Sequence, residues 1–252
     1  MNGVRPSRRN LREEHSLTSI RNRINRPSGE SPVGDFMLGG IDGVVTTFAI
    51  IAGSAGGHLS STTVIILGIA NLLADGFSMA VSNYVGTRAR QEEVSQSRAD
   101  EDWQIDAFPE GERSEIREIF ARKGFSGETL EEIVEVITSD RQVWVETMMA
   151  EELKMSEISA RPVRAALTTF GAFALCGLFP LLPFLFGIGD FAAMFGASAA
   201  LGVVTFIALG AGKGRLVGRP PLQSALETLA IGSVAAILAY GAGSGLNWLF
   251  GG

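Results

Sequence analysis

Cysteine and histidine are almost missing from this chain. One cysteine, Cys176, excludes an intrachain disulfide framework and every paired-cysteine zinc or haem motif, and two histidines, His15 and His58, leave no room for a HExxH helix or a His-rich ligand set. Any metal chemistry must therefore use oxygen and thioether. Charge is also scarce: 19% of the 252 residues are charged against 46% hydrophobic, with 31 glycines, which is more apolar than soluble domains usually run. Residues 210–215, GAGKGR, lack the Gly-Lys-Ser/Thr ending of a phosphate loop. No EF-hand loop and no Glu-x-x-His pair exists, so a ferritin-type di-iron site is unsupported.

What is present is sorted along the chain. Residues 1–34 carry seven arginines and three glutamates, while residues 90–160 carry 19 acidic and eight basic side chains. Phosphates would be repelled by that acidic middle, so nucleic acid is not an expected partner and cations are. Five segments have the roughly 20 apolar residues that a bilayer crossing needs: about 35–57, 62–86, 163–187, 190–211 and 221–249. A soluble protein with buried helices would need a polar face on each, and the third and fourth offer almost none. The fold expected is all-α: a polytopic membrane protein with five transmembrane helices and a helical domain inserted between spans two and three. Its divisions are a tail at 1–34, spans one and two at 35–86, the insert at 87–160, and spans three to five at 161–252.

Lys and Arg counts set the orientation. Residues 58–61 and 188–190 carry neither, whereas the tail, the ends of the insert (Arg88, Arg90, Arg161, Arg164) and the loop with Lys213, Arg215 and Arg219 do. The N-terminus and insert are thus expected in the cytoplasm. The Arg-rich start has no apolar core of a secretory signal, and Glu13 and Glu14 count against a mitochondrial transit peptide. It reads as a disordered tail beside anionic lipid heads.

The insert reads as helices. The second span continues to about Ala107, where Pro109 stops it. Further helices follow at about 110–123, ending on Lys123-Gly124, from Ser126 to about 138, and at 140–157 with Asp140 as N-cap.

Several positions can carry metal chemistry. Asn71, Asp75 and Met79 recur at four-residue spacing, which lines an amide, a carboxylate and a thioether along one stripe of span two. Such a set suits a borderline divalent ion such as Mn2+ or Fe2+. The same residues also read as apolar filling at Met79 and an interhelical donor at Asn71. Asp42 in span one is a charge in hydrocarbon, which normally faces a partner or a wet path. Gly39, Gly40 and Gly43 around it leave space for a helix or an ion, and such a carboxylate can exchange a proton for a metal. Glu227 is placed to pair with Arg219. In the insert, Glu112 and Glu115 share a helix face, as do Met148 and Glu152. Crowded carboxylates repel and a cation relieves this, although a charge run is also what a solvated face looks like.

Five strings together carry a resemblance: GGIDGVVTTFAIIAGSAGG at 39–57, FSMAVSNYVGTRAR at 77–90, PEGERSEIREIFARKGF at 109–125, VWVETMMAEEL at 143–153 and GLFPLLPFLF at 177–186. Over about 35–250 the chain resembles the vacuolar iron transporter, or VIT, family. The resemblance implies a homodimeric five-span exporter of cytosolic Fe2+, and often Mn2+, in exchange for protons. On this resemblance it is expected not to be an enzyme and to need no cofactor, the metal (Fe2+, with Mn2+ or Zn2+ as further candidates) being substrate. Carried over by position, the membrane aspartate and methionine are Asp42 and Met79, and the insert's ligands are Glu101, Glu112, Glu115, Met148, Met149 and Glu152. Two positions depart from the plant and fungal pattern: Asn71 and Gln104 stand where it has glutamates, and Asp75 is a substitute for the first by helical spacing.

The expectation is a proton-coupled divalent metal transporter, in a bacterial plasma membrane or, in a eukaryote, a vacuolar one. A manganese-selective exporter and a membrane-anchored metal sensor or buffer are the rivals. Small residues at Gly39, Gly43 and Gly53 are expected to let two protomers pack, and Pro180 and Pro183 to bend span three, with any freed carbonyls covered.

Overall fold

A computed structural model describes residues 15–24, 32–155, 161–187 and 189–250. Among them the regular elements are all α-helices: α1 (Leu17–Ile24), α2 (Pro32–Gly56), α3 (Ser61–Ala107), α4 (Pro109–Arg122), α5 (Gly127–Thr138), α6 (Arg141–Glu151), α7 (Pro162–Leu185), α8 (Phe191–Leu216) and α9 (Pro221–Phe250). Five of them, α2, α3, α7, α8 and α9, are long and apolar enough to cross a bilayer. Three short helices lie between the second and third of these. The all-helical architecture is the one the sequence predicts.

Local chemistry sets the ends. Pro109 cannot continue α3 and instead opens α4, where its missing N–H costs nothing. Gly124 takes φ +98°, a left-handed conformation that glycine adopts without a Cβ penalty, and its N–H reaches the Ala121 carbonyl at 3.0 Å. Asp140 caps α6 by accepting from the N–H groups of Gln142 (2.9 Å) and Val143 (3.2 Å), and Asp190 caps α8 through Ala193 at 2.8 Å.

Two compact units result. Among the described residues, one comprises 15–24, 32–85 and 161–250, and the other 86–155; α3 runs through both.

In the first unit α2 is central, packing along α7 and α9 and touching α8. Glycine makes this possible. A Cβ on Gly39 would lie 2.2 Å from the Thr169 carbonyl oxygen, and one on Gly43 would lie 2.3 Å from that of Phe173. Farther along, a Cβ on Gly53 would come to 3.3 Å from the Ala239 carbonyl oxygen on α9, while a Cβ on Gly243 would collide with the carbonyl of Gly53. The small-residue stripe assigned from sequence to contact between protomers is therefore occupied within one chain. Small residues allow close helix packing, but spacing alone does not say which helix comes close. Near the α7 prolines, the Ser198 hydroxyl donates to the Pro180 carbonyl at 2.5 Å, tying α8 to α7.

The second unit has its own apolar core of Ile105, Ile116, Leu130, Val134, Ile137, Trp144, Val145, Met148 and Met149. Arg141 fastens α6 to the end of α3 through Asp102 (2.6 Å) and both oxygens of Asp106 (2.5 and 2.8 Å). Arg117 joins α4 to α5 by a bidentate pair with Glu131, both bonds 2.8 Å.

Two elements differ from the sequence expectation. Residues 17–24 are helical within a tail read as disordered. The last insert helix stops at Glu151 rather than near 157, because Lys154 turns left-handed at φ +56° and Leu153 N–H folds back to the Met148 carbonyl. No glycine or proline marks that stop in the sequence.

Candidate functional site

The first unit brings together α2 and α3 residues singled out by spacing. Asp42 and Met79 line one cavity of about 790 Å³, whose other walls are mainly aliphatic. Asp75 lies within electrostatic reach of Asp42. A carboxylate and a thioether thus meet at one cavity from two helices, with a second carboxylate near enough to act on the first. Two acidic groups in such a place repel, and either a proton or a cation relieves the repulsion.

Asn71 is placed differently. Its amide Nδ2 donates to the Thr46 hydroxyl at 3.1 Å, and that hydroxyl donates to the Gly43 carbonyl at 3.5 Å. The interhelical-donor reading of Asn71 is what the geometry displays. Met79 also packs against the apolar cluster around Phe173 and Leu181, so it both fills space and faces the cavity.

Sequence reasoning passed over two groups. Lys213 of α8 reaches the same cavity as Asp42, although its position near a helix end made it only a topology marker. Asn83 continues the four-residue spacing of the stripe, and its amide Nδ2 donates to Asp35 at 2.8 Å and to the Thr169 hydroxyl at 2.7 Å. Extending the spacing by one turn would have found it. These contacts tie α2, α3 and α7 at one end of the stripe. Glu227 does meet Arg219, at 3.9 Å with both side chains largely exposed, so the pair contributes little.

In the second unit, Glu101 of α3, Glu112 and Glu115 of α4, and Glu152 just after α6 influence one another electrostatically. Glu101 and Glu112 are each only 4% exposed. Their Oε2 atoms are buried with no hydrogen-bond partner among the described residues. Orphaned buried carboxylate oxygens are costly and require an explanation. Burial, and then repulsion from Glu152, Glu115 and Asp100, pushes Glu101 up to about 7. Burial, followed by Glu115, Glu101 and Glu152, pushes Glu112 up to about 7 as well. Glu115 and Glu152 lie at the surface beside them. Desolvation and Glu115 raise Glu152.

Met148 and Met149 sit in the apolar core, 0% and 4% exposed. Among the described residues no three carboxylate, histidine or cysteine groups close into a metal shell. What the fold supplies is a concentration of negative potential over two unsatisfied oxygens, a donor set fitted to a hard or borderline cation as substrate. Gln104 is exposed.

A multi-span helical membrane protein with an acidic helical insert is the class these features define. The chain belongs to the VIT family, whose description matches residues 33–244, a family of transporters rather than enzymes. Among its relatives are a protein named "Vacuolar iron transporter" from Toxoplasma gondii, 36% identical over 224 residues (85% of this chain, 74% of the relative), and one of the same name from Centaurea cyanus, 30% identical over 238 residues (94% and 92%). "Vacuolar iron transporter 1" of Arabidopsis thaliana is 31% identical over 209 residues, covering 82% and 83%.

Proposed function

We propose that the protein exports Fe2+ from the cytosol in exchange for protons, accepts Mn2+ by the same ligands, and works as a homodimer. Convergence of Asp42 and Met79 on one cavity, with Asp75 within electrostatic reach of Asp42, is the observation that carries the reading. The relatives' names supply iron as the substrate. A divalent ion and protons compete for the same carboxylates, so loading one expels the other and the two fluxes are tied. The thioether of Met79 adds a contact that Fe2+ accepts and Mg2+ or Ca2+ does not use. The acidic unit, joined to the spans through α3, collects the cation from dilute solution. Lys and Arg placement supports an N-terminus and acidic unit on the cytosolic side.

Proteoliposomes holding a pH dye test this directly. An inward Fe2+ gradient should move protons outward, with Mn2+ competing more strongly than Zn2+. Metal entry without any proton movement would remove the exchange mechanism. Metal binding without entry would favour an anchored buffer.

A further inference from the structure

Among the described residues, helix α1 is a regular element against which no other helix packs extensively. Ser16 starts it: its hydroxyl accepts from the Ser19 N–H at 3.3 Å and its carbonyl from the Ile20 N–H at 2.9 Å. At 3.6 residues per turn, Leu17, Ile20 and Ile24 fall on one side, within an arc of about 60°. Leu17 and Ile24 are 73% and 74% exposed. Thr18, Ser19 and Asn22 occupy the other side. By register alone, positions 21 and 23 border the apolar stripe on either edge, and both are arginine.

An aliphatic stripe exposed at Leu17 and Ile24 and half-exposed at Ile20, bordered by arginine positions in the helical register, fits the boundary between headgroups and acyl chains: the stripe enters the chains while guanidinium groups reach phosphate. The surrounding charge agrees, since residues 1–34 hold seven arginines and three glutamates. So does the connection. Seven residues, 25–31, separate α1 from the span α2, and they reach at most about 25 Å when extended.

We propose that α1 is an interfacial helix that lies in the plane of an anionic phospholipid leaflet beside the first span. The interaction joins a small apolar area to an electrostatic term, each arginine near an anionic surface being worth about fivefold in binding. Neither suffices alone for eight residues, so docking depends on the lipid charge.

The test uses the full chain with Cys176 replaced by alanine and single spin labels at positions 17 to 24, reconstituted in phosphatidylcholine vesicles with or without phosphatidylglycerol. With phosphatidylglycerol, labels at 17, 20 and 24 should be accessible to oxygen and shielded from an aqueous nickel reagent, with 18, 19 and 22 the reverse. That contrast should fade in pure phosphatidylcholine, in high salt, or with Arg21→Gln and Arg23→Gln together. In a Leu17→Ser, Ile24→Ser double variant, a label at 20 should become water-accessible while metal flux persists. Uniform water exposure in phosphatidylglycerol would overturn the proposal. So would a contrast that survives unchanged in pure phosphatidylcholine and high salt, since α1 would then be covered by protein.

Discussion

Asn71 on α3 donates a 3.1 Å hydrogen bond to Thr46 on α2, one helical turn beyond Asp42. The amide therefore holds two spans together next to the proposed ion path, whereas a glutamate at that position would add a charge. Such interhelical bonds in membranes contribute about 0.6–1.7 kcal/mol. Asn71→Leu should lower the thermal midpoint in detergent by a few degrees while leaving Fe2+ flux largely intact. Flux that disappears with an unchanged midpoint would make Asn71 a ligand.

Protonation of the acidic unit should govern its affinity for metal. Glu101 and Glu112, held up to about 7 mainly by burial, are protonated in mildly acidic solution and ionised above it. Titration of the full protein carrying Asp42→Asn should show Fe2+ binding to this unit weakening about tenfold per pH unit below 7 for each proton displaced, and levelling off above about 8. Glu101→Gln with Glu112→Gln should remove most of that dependence. Binding that stays flat between pH 5 and 8 would contradict the assignment.

The same groups affect stability without metal. Their folded pKa lies above the ordinary carboxylate value of 4.5, so the folded state holds protons more tightly than the unfolded chain. Their contribution is fully present below 4.5 and drains away as pH rises to about 7. Melting of the acidic unit should therefore shift downward from pH 5 to pH 8, and Fe2+ should restore it at the upper end. The Glu112→Gln variant should flatten the trend.

Close approach of α2 to α7 makes Gly43 intolerant of size. With the Phe173 carbonyl oxygen only 2.3 Å from a hypothetical Cβ, even Gly43→Ala must separate two backbones. Overpacking typically costs about 1–3 kcal/mol, and size-exclusion chromatography after graded heating should show an early loss of the folded peak. Gly86→Ala, where nothing stands within 4 Å, is the control. A normal midpoint for Gly43→Ala would mean that the two helices are not in contact there.

The spans were legible in the sequence because twenty apolar residues in a row leave few alternatives. The insert helices were legible where Pro109, Gly124 and Asp140 mark their ends. Less was readable where several answers share one pattern. The glycines at 39 and 43 announce close packing but not the partner, which proves to be α7 of the same chain. Met148 and Met149 satisfy a ligand pattern and a core pattern equally, and their burial beside Ile116 and Trp144 shows the core part. Lys213 needed three dimensions, since only the fold brings α8 to the cavity of Asp42. The eight residues of α1 are too short for composition to distinguish from a disordered basic tail.

Asp42 carries the central claim, and its conservative replacement isolates it. Asp42→Asn keeps the side chain's shape but can neither release a proton nor neutralise a cation. In proteoliposomes with simultaneous dye readouts of Fe2+ and pH, the variant should lose both fluxes together while Fe2+ binding to the acidic unit remains. Coupled Fe2+ and proton flux at the wild-type rate in Asp42→Asn would contradict the account.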